Sequence, residues 1–242
     1  LAYWWLNPNP PKTVTLATGP AQSAYEEFGK RYQKALAVDG IDVVLLPSEG
    51  SSHNLQLLRD GQADVAFVQG GTAELQPDDP DNLVSLGSLF VEPLWLFYRT
   101  DAAERMHNAP RLDSLRQLRG WRVNVGSEGS GVPTLIERLL QANKVEPGSV
   151  KLSRLEQTPA TVEFLAGRLD ALVFASAPES LMVQMLLQTP GVQLLDFAQH
   201  EAYARRFPFL TPVTLPRGVV DLAANVPQRD VRLVATTTSL LA

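Results

Sequence analysis

The sequence contains no cysteine and only three histidines, His53, His107 and His200, which are far apart in the chain. The absence of cysteine excludes disulfide bonds, thiolate zinc sites, iron–sulfur clusters and cysteine nucleophiles. A histidine-based metal site would need ligands from three distant segments. We therefore expect no metal centre and no cofactor.

Basic residues are in the minority, because 21 Lys and Arg stand against 26 Asp and Glu, for a formal net charge of −5. No segment supplies the basic stripe that neutralises phosphate groups, so we expect no nucleic-acid partner. No internal stretch approaches the roughly 20 apolar residues of a membrane span. We therefore expect no span within the body of the chain.

The beginning of the chain differs from the rest in composition. Residues 1–6 are apolar and aromatic, and residues 7–11 are rich in proline. Because Tyr and Trp gather at membrane interfaces, we expect residues 1–11 to be a membrane-proximal linker next to a removed N-terminal segment. A first strand or an aromatic plug on the domain is the alternative interpretation.

From residue 12 onward, strand-like apolar segments alternate with helix-like segments. Tyr25, Phe28, Tyr32 and Leu36 recur at spacings of three and four, which predicts an amphipathic helix. Continuous apolar runs such as 41–46 predict buried parallel strands. The pattern predicts an α/β protein with mainly parallel sheets.

An internal repeat predicts two similar lobes. Gly61 and Asp64 precede a buried strand, and Gly167 and Asp170 precede another at the same offset. Capping is the expected role of the two aspartates.

We assign residues 12–99 and 208–242 to lobe 1 and residues 100–207 to lobe 2. Residues 84–89 and 94–98 are predicted as two strands, and residues 100–110 as a loop that crosses between the lobes.

Two turns of small residues, 50–54 and 126–134, each lead into a predicted helix. Hydroxyls and free amides at a helix start favour an anion, and ligands bind at the carboxyl ends of parallel strands. One turn in each lobe predicts two donor clusters that face each other across a cleft and grip a small carboxylate. Simple helix capping is the alternative for either turn.

Other polar residues offer chemistry of their own. Glu92, at a strand boundary, suits a ligand ammonium, and Arg99 suits either a bidentate carboxylate clamp or a surface position. Dinucleotide, P-loop and nucleophile-elbow motifs are absent, and Ser130 has no histidine near it in the sequence. We therefore expect that the protein is not an enzyme.

The ordered segments resemble the TAXI family of solute-binding receptors, the extracytoplasmic proteins of one branch of TRAP transporters. The matching segments are 16–19, 47–55, 58–69, 89–93, 115–131 and 167–174. The resemblance implies a two-lobed type II periplasmic-binding-protein fold with a hinged cleft. It also implies a small organic acid or acidic amino acid such as glutamate as the ligand, and a TRAP-type membrane permease as the partner. The implied location is the periplasm, with a tether to the inner membrane through the removed N-terminal segment.

The same resemblance assigns the ligand contacts to twelve residues: Thr18, Gly19, Tyr25, Ser51, Ser52, Asn54, Gln69, Glu92, Ser127, Ser130, Gly131 and Ser176. The sequence departs from the family pattern at 19–25, which is poorer in glycine and aromatic residues, and at 175–178, where the family keeps a glycine. Both departures touch the expected pocket. A membrane-tethered sensory or scaffold module with the same fold is therefore the alternative function.

Overall fold

The computed structural model describes residues 11–21, 23–72, 83–146, 148–178 and 180–242. The predicted membrane-proximal linker lies outside these ranges, apart from its last residue. Within them, no helix combines the length and the apolar character that crossing a bilayer requires.

Three parallel strands with intervening helices form the first part of the fold. Strand β1 (Thr13–Ala17) pairs in parallel with β2 (Asp42–Leu46) on one side and with β3 (Val65–Gln69) on the other. Helices α1 (Ala24–Ala37) and α2 (Ser51–Arg59) make the crossovers between these strands. This is the arrangement expected of alternating apolar strands and amphipathic helices.

The second part of the fold repeats the arrangement. Its helices are α3 (Thr100–His107), α4 (Val132–Ala142), α5 (Gln157–Leu165), α6 (Leu181–Gln188) and α7 (His200–Arg206), with short 3-10 helices at Leu115–Leu118 and Glu128–Ser130. Strand β5 (Arg122–Asn124) pairs in parallel with β6 (Lys151–Ser153) and with β7 (Ala171–Ala175). Strand β8 (Val192–Leu194) lies at the edge.

Antiparallel strands join the two parts. These strands are β4 (Ser85–Arg99), β9 (Leu210–Leu215) and β10 (Val231–Leu241). Strand β10 pairs with β3, β9 and β4, and β4 continues to pair with β7 and β8. The strand order β2-β1-β3-β10-β4-β7-β5-β6 therefore places parallel units at both ends and antiparallel strands between them. The predicted α/β fold class is confirmed.

Strand β4 corrects two predictions. The sequence predicts strands at 84–89 and 94–98, but the structure forms one strand over Ser85–Arg99. Proline usually interrupts a central strand because it has no N–H to donate. Pro93 is accommodated because it lies where β4 changes partner, from β10 up to Pro93 to β7 from Leu94 onward. The predicted crossing loop at 100–110 is largely helix α3, and β4 makes the connection instead. The two-lobe division itself stays a prediction.

Apolar cores lie in both parts of the fold. In the first, the predicted face of α1 packs on the sheet through Tyr25, with Phe28 and Tyr32 partly buried beside it. In the second, Trp95 and Trp121 are fully buried. The periodicity of three and four in α1 therefore predicts its buried face correctly.

The internal repeat has the same structural role in both copies. Asp64 N–H donates to Thr15 O at 2.9 Å, and its side chain accepts from Thr15 N–H at 2.7 Å. Asp170 N–H donates to Arg122 O at 2.8 Å, and its side chain accepts from Arg122 N–H at 2.9 Å. Each aspartate thus fastens the start of one parallel strand to its neighbour.

The two copies differ in burial and charge. Asp64 is exposed, whereas Asp170 is 5% exposed and also accepts from the side chains of Arg122 and Arg105. Burial opposes ionisation of Asp170, but hydrogen bonds from the Arg122 side chain and backbone outweigh it and lower the pKa of Asp170. The second copy therefore holds a charged network that the first lacks.

We expect Asp170→Asn to lower the free energy of unfolding by about 1.5–3 kcal/mol at neutral pH, because hydrogen bonds to a charged group are lost. Asp64→Asn, the matched control at an exposed position, should cost less than about 1 kcal/mol. Because the pKa of Asp170 is lowered on folding, its contribution is present above the unfolded pKa and disappears as the pH falls through the folded value. Urea unfolding at neutral and acidic pH measures both effects, and equal losses in the two variants would contradict the assignment.

Candidate functional site

The two turns that the sequence singled out lie directly against each other. A Cβ on Gly50, at the start of α2, would stand 2.9 Å from Ser130 Cα. A Cβ on Gly129 would stand 2.4 Å from Glu49 Cβ. Real Cβ atoms do not approach other atoms so closely, so both positions require glycine for this contact. The turns thus meet directly at this point, whereas the prediction has them face each other across a cleft that holds a ligand.

Ser130 and Val132 of the second turn donate within the turn itself. Ser130 N–H and Ser130 Oγ both donate to Ser127 O, at 3.1 and 2.7 Å, and Val132 N–H reaches Ser130 Oγ at 3.4 Å. Pro133 has no N–H to offer. These bonds hold the turn itself together, while neither the 3-10 helix nor the α-helix that begins in it has a side-chain cap hydrogen bond.

A cavity of about 520 Å³ lies beside the contact between the turns. Residues from both parts of the fold line it. Six of the twelve predicted ligand residues are among them, namely Tyr25, Gln69, Glu92, Ser127, Ser130 and Ser176. The other six do not line it, namely Thr18, Gly19, Ser51, Ser52, Asn54 and Gly131. Its volume is in the range that small-molecule sites occupy.

Sequence reasoning missed several lining residues. Glu49 precedes α2, Asn124 ends β5, Glu156 precedes α5 and Phe174 lies in β7. Asn124 and Glu156 lie just beyond or at the carboxyl ends of parallel strands, where ligands bind in α/β sheets. Applying that rule to every predicted strand would have found them.

A buried hydrogen-bond network forms one wall of the cavity. Tyr25 OH donates to Glu92 Oε2 at 3.0 Å, and Thr238 Oγ1 donates to the same oxygen in a short hydrogen bond. Because Tyr25 gives its one hydrogen to Glu92, the hydroxyl of Ser51 donates to Tyr25 OH, at 2.8 Å. Ser51 Oγ in turn accepts from Gln69 N–H at 2.9 Å. Four elements, α1, α2, β4 and β10, thus meet at Glu92.

Glu92 is 5% exposed, and its partners in the described structure are hydroxyl groups rather than cations. Burial raises the pKa of Glu92, and the hydrogen bonds from Thr238 and Tyr25 only partly oppose this. Burial together with the nearby carboxylate raises the pKa of Tyr25 well above its usual value, so the phenol stays neutral. A buried carboxyl group of this kind marks a candidate functional site.

Asn54 holds the wall of the cavity and does not face it. Its Nδ2 donates to Thr18 O at 2.5 Å and to Phe67 O at 2.7 Å, and its Oδ1 accepts from Ser48 Oγ at 2.6 Å. These bonds use both amide hydrogens, and the residue is fully buried. We therefore reassign Asn54 from ligand contact to fastening the ends of β1 and β3.

The lining of the cavity contains no basic residue. Every Lys, Arg and His of the sequence falls within the described ranges, and none lines the cavity. Arg99 pairs with Asp101, with Nη2 and Oδ2 2.8 Å apart, and does not line the cavity, which favours the surface alternative over the carboxylate clamp. In the described part of the chain, no three side chains of His, Asp or Glu come together as a metal-binding group.

A larger cavity, of about 670 Å³, lies between the β8 region and residues 224–231. It is lined by Arg111 and Arg229, among others, and by none of the predicted ligand residues. It does not adjoin the described carboxyl ends of the parallel strands. The cavity at Glu92 is therefore the candidate site.

The fold and this cavity define a class, that of two-lobed α/β proteins with the type II periplasmic-binding-protein fold. Within that class, the chain belongs to the NMT1-like family, whose sequence profile matches residues 16–241. The match spans nearly all the described residues.

Solved structures share the fold at low sequence identity. The alkanesulfonate-binding protein SsuA from Xanthomonas axonopodis pv. citri, bound to MOPS, matches with a TM-score of 0.57 and 16% identity, over 83% of this chain and 69% of that chain. PhnD1 from Prochlorococcus marinus (MIT 9301), in complex with methylphosphonate, matches with a TM-score of 0.58 and 14% identity, over 96% and 77%. The effector binding domain of QuiR in complex with shikimate matches with a TM-score of 0.53 and 12% identity, over 93% and 87%. At these identities the similarity establishes the fold alone.

We expect Asn54→Ala to lower the free energy of unfolding by about 2–4 kcal/mol, because two buried carbonyl groups lose their donor. Ser52→Ala, two residues earlier on the same helix, is the matched control and should change stability little. Urea unfolding measures both variants. Weaker ligand binding at unchanged stability would instead return Asn54 to the binding site.

The buried carboxyl group of Glu92 leads us to expect a pH-dependent stability. Because its folded pKa is raised above about 4.5, stability falls as the pH rises through the folded value. Glu92→Gln keeps an acceptor for Tyr25 and Thr238 but cannot ionise. Its melting temperature should therefore exceed that of the parent chain at neutral pH, with the difference shrinking toward pH 4. Glu156→Gln, at an exposed position of the same cavity, should show no such trend.

Proposed function

We propose that this protein is a non-catalytic solute-binding protein that captures a small organic molecule in the cavity at Glu92. The observation that carries the proposal is that both parts of the fold line one cavity of about 520 Å³. Residues from α1, β3 and β4 face residues from β5, β7 and the turn before α4. A ligand held by both parts favours the state in which the turns touch, as in hinged binding proteins.

The lining residues support binding rather than catalysis. Ser127 and Ser130 line the cavity, but no histidine lines it to activate their hydroxyls as nucleophiles. Ser51 and Tyr25 hydroxyls are used in the buried network around Glu92. The groups that face the cavity are suited to hydrogen bonding and charge recognition.

We further propose that the protein works outside the cytoplasm and hands its solute to a TRAP-type membrane permease. Membership of the NMT1-like family and the ordered segments that resemble TAXI receptors support this assignment. The predicted tether to the inner membrane, the predicted division into lobes and the six predicted ligand residues that line the cavity belong to the same proposal. Co-purification of permease subunits with the tagged full-length protein from solubilised membranes tests the partnership.

A membrane-tethered sensory module is the second candidate. The effector binding domain of QuiR, in complex with shikimate, is an example of this fold outside the solute-binding proteins. In this chain the departures at 19–25 and 175–178 lie on or beside lining residues, including Tyr25 and Ser176. A protein partner other than a permease in the same co-purification would favour this candidate.

The contact between the turns provides the test of the binding proposal. Gly129→Ala places a Cβ against Glu49 at a position that carries no positive φ, so it wedges the turns apart without backbone strain. We expect it to weaken ligand binding about tenfold, because closure then costs free energy that binding must supply. Ligands identified by native mass spectrometry and by thermal shift with amino acids, amines and organic acids serve as probes in calorimetry.

Gly148→Ala is the control for a glycine substitution. Its φ of +79° makes alanine unfavourable, yet the added Cβ meets no atom within 4 Å. It should lower the melting temperature and leave affinity unchanged. Unchanged affinity in Gly129→Ala would show that closure of the turns is not coupled to binding, and absence of any saturable ligand would reject the binding function.

A further inference from the structure

We propose that the cavity at Glu92 selects a small organic ligand that carries a positively charged nitrogen and has a net charge of zero or above. This inference rests on the proposed binding function and names the class of its ligand. It replaces the carboxylate ligand that the sequence predicts. The argument comes from three properties of the cavity: a free acceptor, an uncompensated charge and an aromatic surface.

The free acceptor is the second oxygen of Glu92. Both hydroxyl hydrogen bonds, from Tyr25 and Thr238, end on Oε2, and no described residue donates to Oε1. A carboxylate oxygen that is not engaged by the protein can accept a hydrogen bond from a ligand. Because Glu92 lines the cavity, a donor on the ligand satisfies it. An ammonium group does so with a charge-assisted hydrogen bond.

The second property is the charge of the lining. Glu49, Glu92 and Glu156 line the cavity, and no Lys, Arg or His does so. In the second part, Arg122 pairs with Asp170, and Arg154 pairs with Glu128 and Glu137. An anionic ligand would therefore lose its hydration without gaining a counter-ion, whereas a cation gains one.

Metal binding does not account for these carboxylates. In the described part of the chain they do not converge into a metal-binding group of three ligands. The cavity is also far larger than an ion needs, at about 520 Å³. Carboxylates spread over a cavity of this size suit an organic molecule whose charged nitrogen meets one of them.

The third property is aromatic and apolar surface near the carboxylates. Tyr25 and Phe174 line the cavity, together with Val173 and Met182. Cations are attracted to the faces of aromatic rings, and the aliphatic side chains suit a carbon skeleton. These neighbours favour an organic cation over a fully hydrated one.

Calorimetry with five-carbon compounds of graded charge tests the inference. The probes are glutarate, glutamate, glutamine, ornithine and 1,5-diaminopentane, titrated into the purified full chain. We expect at least one of the last three compounds to bind about tenfold more tightly than glutamate, and glutarate not to bind. Tighter binding of glutamate or glutarate would overturn the inference while leaving the binding function intact.

Substitution of Glu92 tests whether this carboxylate is the group that binds the positively charged nitrogen. Glu92→Gln should weaken binding of the preferred cationic or zwitterionic probe about tenfold or more, because a charge-assisted hydrogen bond is lost. Circular dichroism confirms that the variant is folded. Glu156→Gln is the matched control and should weaken binding less, because Glu156 is exposed. Equal affinity of Glu92→Gln and the parent chain would overturn the assignment to Glu92.

A broader thermal-shift panel separates the two proposals. It contains quaternary ammonium compounds, polyamines and basic amino acids in one arm, and sulfonates, phosphonates and dicarboxylates in the other. Stabilisation by members of the first arm alone supports the inference. Stabilisation by the second arm alone refutes it and keeps the binding function, and stabilisation by neither arm refutes both.

Discussion

The buried carboxyl group of Glu92 is the feature around which the junction of the molecule is built. It accepts hydrogen bonds from Tyr25 of α1 and Thr238 of β10, while its own strand, β4, continues into the second part of the fold. The next residue, Pro93, marks the point where β4 changes partner. Glu92 therefore lies on the strand that links the two parts of the fold. A ligand that forms a hydrogen bond with Glu92 would contact this linking strand directly.

The contact between the two turns depends on residues without side chains. Gly50 and Gly129 allow two backbones to approach closely, so the turns close one edge of the cavity without occupying it. The amide and hydroxyl of Ser130 and the amide of Val132 donate inside their own turn, which stabilises its shape. The turns therefore serve as the meeting surface, and the proposed ligand contacts are other side chains that line the cavity.

Residue spacing along the chain predicts those features of the fold that neighbouring residues determine. The face of α1 and the repeated aspartates, Asp64 and Asp170, are encoded by spacing and adjacent turns, and the structure forms both as expected. The hydrogen bond between Thr238 and Glu92 joins residues 146 positions apart, and no periodic pattern in the sequence predicts it. Asn54 shows why the site residues are harder to predict from the sequence. A polar residue at a helix start looks the same in the sequence whether its side chain contacts a ligand or bonds to the backbone around the cavity.

The distribution of charge decides which ligand the site suits, and the net charge of −5 does not reveal it. Arg122 pairs with the buried Asp170 and Arg154 with Glu137, and no basic residue compensates the cavity carboxylates. An anion would fit only if Glu92 took up a proton, which its raised pKa makes easier. Protonation of Glu92 would still leave Glu49 and Glu156 in the lining with no cation to offset them. A positively charged nitrogen needs no such protonation, and it satisfies the oxygen of Glu92 that the described residues leave free.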